Sequence, residues 1–136
     1  MASASAFIDI PVSADQVWQL IGGFNSLPDW LPFIPRSELS EGGRVRSLQT
    51  ADGAVVIERL KTFDDAGKTY SYSIVQAPFP PTEYLATIKV ESQGEGAGVT
   101  WSGRFEPVGV SDEEVMALFA GIYQGGLQAL RANYPA

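Results

Sequence analysis

The run Val55-Val56-Ile57-Glu58-Arg59-Leu60-Lys61-Thr62-Phe63 has the two-residue period of a strand. Successive side chains of a strand point to opposite faces. Arg59 and Lys61 therefore share one face, and Val56, Glu58, Leu60 and Thr62 share the other, which reads as the core side. The same period recurs nearby. Residues 69–76 put Tyr70, Tyr72 and Ile74 on one side and Thr69, Ser71 and Ser73 on the other. Residues 84–91 turn Tyr84, Ala86, Ile88 and Val90 inwards, and residues 99–106 do so with Val99, Trp101, Gly103 and Phe105. Further strands are predicted at 4–10, 34–39 and 44–50.

Twice the period becomes helical. Ser13 is a good N-cap, Asp15 suits the helix dipole, and Val17, Trp18, Leu20, Ile21 and Phe24 make an apolar stripe that Gly22 and Gly23 stop. A short second helix is predicted from Asn25 to Trp30, interrupted around Pro28 and closed by Pro32. At the other end, Ser111 with Glu114 reads as a capping box. It opens a long helix on which Val115, Leu118, Phe119, Ile122, Gly126, Leu130 and Tyr134 recur at helical spacing. Gly121, Gly125 and Gly126 weaken that helix by roughly 1 kcal/mol each relative to Ala. Close packing on Trp101 or Phe105 would explain them, and so would a helix that moves to admit a ligand.

The connections set the pairing. A three-residue loop Ala51-Asp52-Gly53, with Gly last, suits a type I turn followed by a bulge, and places Leu48 opposite Val56 and Arg46 opposite Glu58. A two-residue Asp52-Gly53 loop would instead place Glu58 opposite Ser47. The order is strand, two short helices, about six antiparallel strands and one long helix. This is an α+β arrangement in which a sheet of about seven strands wraps around the C-terminal helix. No repeat or linker divides the chain, so a single domain over 1–136 is expected.

Composition narrows the chemistry. The chain of 136 residues is 45% hydrophobic and 18% charged, enough for one real core. Its net charge of -7, with nine scattered Lys and Arg, argues against nucleic acid or an anionic membrane as partner. There is no His and no Cys, which rules out disulfides, His- or Cys-ligated metals and Ser-His or Cys-His nucleophiles. Proton transfer would fall to Asp, Glu, Tyr, Lys or water. No metal and no cofactor are expected. No apolar run approaches the roughly 18 residues of a membrane span, and nothing at the N-terminus looks like a signal peptide. A cytoplasmic protein, monomer or homodimer, is the expectation.

A carboxylate among inward residues is costly unless it is paired or faces a cavity. Arg46 is the cross-strand candidate. The pair reads as a salt bridge fixing hairpin register, as an anchor for a ligand, or as proton-transfer machinery with Glu58 as base. Tyr72, beside Tyr70 and Tyr84, offers hydroxyls to a ligand or packs as an ordinary strand residue. Polarity on that scale is unusual in a fully packed core, so the shared face points to a cavity.

Several segments together resemble a known family. They are Val17-Trp18, Asp29-Trp30-Leu31-Pro32, Gly43-Arg44-Val45-Arg46-Ser47-Leu48, Glu58-Arg59-Leu60, Tyr70-Ser71-Tyr72, Pro78-Phe79-Pro80, Tyr84, Val99-Thr100-Trp101 and Tyr123-Gln124-Gly125-Gly126-Leu127. Over nearly its whole length the chain is similar to the SRPBCC superfamily, also called START or birch-pollen-allergen-like, and within it to the polyketide cyclase/dehydrase-like branch. The resemblance implies a helix-grip fold with a cavity between sheet and C-terminal helix. Carried onto this chain, the cavity would be lined by Trp18, Phe24, Trp30, Arg46, Glu58, Leu60, Tyr72, Tyr84, Trp101, Phe105, Phe119, Ile122 and Tyr123. Independently of the resemblance, Asp29-Trp30-Leu31-Pro32 is a candidate border of the entrance, and Phe79-Pro80-Pro81 reads either as a gate or as an ordinary Pro-rich turn. The branch includes hydrophobic-ligand carriers and aromatase/cyclases. The implied partner is a small apolar or aromatic molecule. The alternative is a cyclase or dehydratase with Glu58, Tyr72 and Arg46 as catalytic candidates.

Overall fold

The computed structural model describes residues 2–77, 81–107 and 111–134. Strand β1 (Ala2–Ile10) leads into helices α1 (Ala14–Ile21) and α2 (Leu27–Trp30). Six strands follow: β2 (Arg36–Ser40), β3 (Val45–Gln49), β4 (Val55–Asp64), β5 (Thr69–Gln76), β6 (Pro81–Gln93) and β7 (Gly96–Pro107). Helix α3 (Asp112–Arg131) closes the order. All strand pairs are antiparallel, in the sheet order β1-β7-β6-β5-β4-β3-β2. The curved sheet and the helix laid across it make a helix-grip fold, as the element order predicts.

Local chemistry explains the helix ends. Ser13 caps α1 by accepting from the Gln16 backbone N–H while the Gln16 side chain returns to the cap, a complete capping box. Ser111 accepts from the Glu114 N–H in the same way, and that is the half of the predicted box that forms at α3. The second short helix keeps only its last turn, with Pro28 in its first positions, where a missing N–H costs nothing.

The β3–β4 turn decides the hairpin as the longer loop requires. Thr50 and Ala54 are joined across the loop, Gly53 takes φ +91°, and Arg46 pairs with Glu58 and Leu48 with Val56. Farther along β4, parity breaks. A bulge at Lys61 separates the pairs Leu60–Tyr72 and Thr62–Ser71. Thr62, expected inside, therefore lies on the face of Ser71, its hydroxyl 2.5 Å from that of Ser71. Phe63 takes the Tyr70 side of the sheet in its place and stacks on that ring while staying 48% exposed.

Helix α3 lies against β1 and β7. Val115, Phe119, Tyr123, Gly126, Leu127 and Leu130 form its buried stripe. Leu118, predicted in that stripe, is exposed, and Tyr134 lies beyond the helix end, reaching the Gln16 carbonyl. The inner stripe runs through Tyr123 and Leu127, since the surface covered by one helix narrows to what the sheet can meet. At Gly126 a Cβ would stand 2.6 Å from the Trp101 ring and 2.9 Å from Leu31, so close packing explains this glycine. At Gly121 and Gly125 a Cβ would meet nothing within 4 Å, and packing explains neither.

Candidate functional site: a cavity under the C-terminal helix

Between the sheet and α3 lies a cavity of about 140 Å³. Each element contributes by the parity that the strands set. Leu48 comes from β3, Val56 and Glu58 from β4, Tyr72 and Ile74 from β5, Tyr84 from β6 and Trp101 from β7. Phe119, Ile122 and Tyr123 close it from α3, and Leu27, Leu31, Phe33, Ile34 and Thr50 complete the wall. The lining is almost wholly apolar. Phe33, Thr50, Ile74 and Ile122 are half-buried and mark the side nearest solvent.

Arg46 is 1% exposed, and its bonds are spent inside the protein. Its Nε donates to Glu58 Oε1 at 2.8 Å, and its Nη2 makes an ion pair with the same oxygen at 2.7 Å. Its Nη1 donates to the Phe24 carbonyl at 2.9 Å and more weakly to the Tyr70 hydroxyl at 3.4 Å. The guanidinium carbon also sits 4.2 Å from the Phe24 ring centre and 4.7 Å from that of Tyr72, where ring quadrupoles stabilise a cation. Burial would lower the affinity of this guanidinium for its proton, but the Glu58 carboxylate and the neighbouring tyrosines outweigh it and hold Arg46 charged.

Glu58 is placed differently. It touches the cavity, and both of its bonds to Arg46 end on Oε1. Among the described residues, Oε2 has no hydrogen-bond partner. Burial pushes its carboxyl above the ordinary range, and Arg46 pulls back only in part.

The phenols form a second polar group. Tyr72 accepts from the Trp101 indole N–H at 2.9 Å. The Tyr84 and Tyr123 hydroxyls bond each other, joining sheet to helix. Gly103 lies beneath that pair, and a Cβ there would collide with the Tyr123 oxygen. Burial raises the pKa of Tyr72, Tyr84 and Tyr123, so all three remain protonated donors.

Of the residues named from sequence, Glu58, Tyr72, Tyr84, Trp101, Phe119, Ile122 and Tyr123 meet around the cavity. Arg46, Trp18, Phe24, Trp30, Leu60 and Phe105 stand outside its lining. Trp18 donates to Asp65 at 2.7 Å and packs on Phe63, at the far end of β4. Phe24 covers Arg46, Trp30 meets Trp101 edge-on, and Phe105 stacks on Tyr84. Leu60 is half-buried against the core. Leu48, Val56 and Ile74 were readable from strand parity. Leu27, Leu31, Phe33 and Ile34 lie in and after a four-residue helix, where no period signals a face. The expected gate at Phe79-Pro80-Pro81 lies outside the described residues, which include only the backbone of Pro81. No group of three or more carboxylates that could hold a metal occurs among the described residues. No described helix is long and apolar enough to cross a membrane.

Known proteins share this fold. The chain is similar over 98% of its length to the structure of XoxI from Bacillus cereus, with 56% identity, a TM-score of 0.97 and 96% of that chain covered. A putative uncharacterized protein from Bacillus thuringiensis matches with 54% identity, a TM-score of 0.96 and 98% of each chain covered. The Zhui aromatase/cyclase from Streptomyces shares the fold at 15% identity, with a TM-score of 0.77, over 96% of this chain and 92% of its own. No protein of curated function matches the sequence. The profile described as polyketide cyclase / dehydrase and lipid transport matches residues 1–134, and the chain belongs to that family.

Proposed function

We propose that this protein binds one small apolar or aromatic molecule between the sheet and α3. The observation that carries the reading is the cavity itself, about 140 Å³ of apolar space with a buried carboxylate and two phenols on its sheet wall and a third phenol facing them from α3. An apolar cavity of roughly 150 Å³ accommodates benzene, so the space suits a single ring or a short chain. Specificity in such pockets comes from a few placed polar groups.

Native mass spectrometry of protein purified from its own host tests this. The wild type should carry a small molecule that Ile122→Phe, which fills half-buried space at the mouth, does not. An empty wild type that single-ring compounds also fail to stabilise thermally sinks the proposal.

A second reading is favoured by Glu58. Among the described residues its Oε2 is unpartnered, it touches the cavity, and burial raises its proton affinity above that of an ordinary carboxylate, which makes it a stronger base. The reaction would be a cyclase- or dehydratase-type proton transfer, with Arg46 acting only through its hold on Glu58. Glu58→Gln should then abolish turnover while ligand still binds. Unchanged turnover would rule out this role.

A further inference from the structure

We propose that the Tyr84–Tyr123 hydroxyl pair is the specificity element of the cavity, and that it selects a neutral ligand with a carbonyl-type acceptor on a single ring while anions are refused. This deepens the binding reading above and rests on it.

The argument is a count of donors. Each phenol has one O–H to give and an oxygen that can accept. In the Tyr84–Tyr123 pair, the mutual bond uses one O–H. The other O–H has no acceptor among the described residues, although both side chains line the cavity. Tyr72 also keeps its O–H after accepting from Trp101. Tyr72 differs, however, in standing on the Glu58 side. It neighbours Glu58 on the inner face, through the pairs Glu58–Ile74 and Leu60–Tyr72, and its ring flanks Arg46. The unpartnered Glu58 oxygen is the natural acceptor for that proton, through a bridging water. Among the described residues the Tyr84–Tyr123 pair is enclosed by the Phe105 and Phe119 rings, and its spare proton has no acceptor within hydrogen-bond reach. The Glu58 charge acts on the pair only through space.

A buried donor without an acceptor is unfavourable, and a ligand that supplies one relieves it. Gly103 is what allows the pair to sit against the sheet, because any side chain there would displace it. The sign of charge follows from Arg46. All three of its nitrogens are engaged, by Glu58, Phe24 and Tyr70, and it is not among the residues that line the cavity. The charged group that does reach the cavity is the Glu58 carboxylate. An anionic ligand would give up its water to meet the Glu58 oxygen first, with Arg46 behind that carboxylate and already paired to it, so no cation lines the cavity to receive the second charge.

Calorimetric titration with ethylbenzene, acetophenone and benzoate at neutral pH tests each part. The wild type should bind acetophenone about fivefold more tightly than ethylbenzene, as one added neutral hydrogen bond allows. Benzoate should bind at least about tenfold more weakly than acetophenone. In Tyr84→Phe/Tyr123→Phe the acetophenone-to-ethylbenzene ratio should fall to about one. Either single Phe variant leaves one O–H unspent and should keep the preference. Ethylbenzene binding with no preference for acetophenone overturns the inference and leaves the cavity reading standing. A preference that survives in the double variant, or benzoate binding as well as acetophenone, overturns it too. Should the double variant lose its circular-dichroism signature, the wild-type order of the three probes decides. Failure of all three to bind the wild type removes both readings.

Discussion

Two polar clusters share the inner face of one sheet, and they are built on opposite principles. Around Arg46, a charge that is 1% exposed is surrounded by acceptors: a carboxylate oxygen, a backbone carbonyl, a phenol and two aromatic faces. Around Tyr84 and Tyr123, two neutral hydroxyls have, among the described residues, only each other. The first cluster joins β3, β4, β5 and the segment after α1, and neither Arg46 nor Tyr70 lines the cavity where a guest would sit. The second joins the sheet to α3 and has a proton left over. The difference shows why buried polarity alone does not identify a binding group. A buried charge must be saturated by the protein, because an unpaired one costs several kcal/mol, whereas a neutral hydroxyl can tolerate incomplete bonding. Glu58 stands between the two, with one oxygen in each setting.

The largest effect that would break this contrast is at Arg46. Arg46→Met leaves the Glu58 carboxylate buried without its partner and should cost about 3–5 kcal/mol in denaturant unfolding. Arg46→Met combined with Glu58→Leu should recover most of that loss. A single variant that loses under about 1 kcal/mol would mean that the pair is not saturating anything.

Next is Gly103. Gly103→Ala drives a methyl into the Tyr123 hydroxyl and should cost about 1–3 kcal/mol by overpacking. The same substitution at Gly121, where nothing lies within 4 Å, should instead add up to about 1 kcal/mol. Equal effects at the two sites would contradict the close approach of sheet and helix.

A smaller effect is expected with pH. Burial raises the Glu58 pKa in the folded state above its unfolded value. The folded protein therefore holds this proton more tightly. The stability that follows is fully present below the unfolded pKa and is lost as pH rises through the folded one. Wild type minus Arg46→Met/Glu58→Leu should thus decline in stability as pH rises from the ordinary carboxylate range. A difference that is flat or rises with pH would show that Arg46 dominates.

The smallest effect is predicted for the phenols. Tyr84→Phe/Tyr123→Phe removes both members of a neutral pair without changing ring shape and should alter stability by less than about 1 kcal/mol. A loss comparable to that of Arg46→Met would erase the distinction between the clusters.

Much of the scaffold was legible because local rules produce it. Two-residue alternation put Glu58, Tyr72, Tyr84 and Trp101 on one face, and a Gly-terminated loop aligned Arg46 with Glu58. Where a local rule was interrupted, the reading failed. The Lys61 bulge exchanged Thr62 and Phe63 between faces, and nothing in Leu60-Lys61-Thr62 announces an extra residue in the pairing. Leu118 had helical spacing, but the sheet meets α3 along Phe119, Tyr123 and Leu127. Trp18, Phe24 and Trp30 had the aromatic character of cavity wall and went instead to Asp65, Arg46 and Trp101. Those partners are distant in sequence and were not predictable from any period.

By itself, then, the sequence determined the order of elements, the hairpin register and the inward carboxylate, because backbone geometry and turn chemistry act over a few residues. Only the tertiary structure decided that Arg46 is used up by the Phe24 carbonyl and the Tyr70 hydroxyl as well as by Glu58. It also decided that a space remains beside Glu58, and that Tyr123 crosses from helix to sheet to meet Tyr84 over Gly103. The reason is one of length scale. Whether facing side chains fill the space between sheet and helix or leave it open depends on their separation and curvature to within a methyl group. Those are set by all the contacts at once.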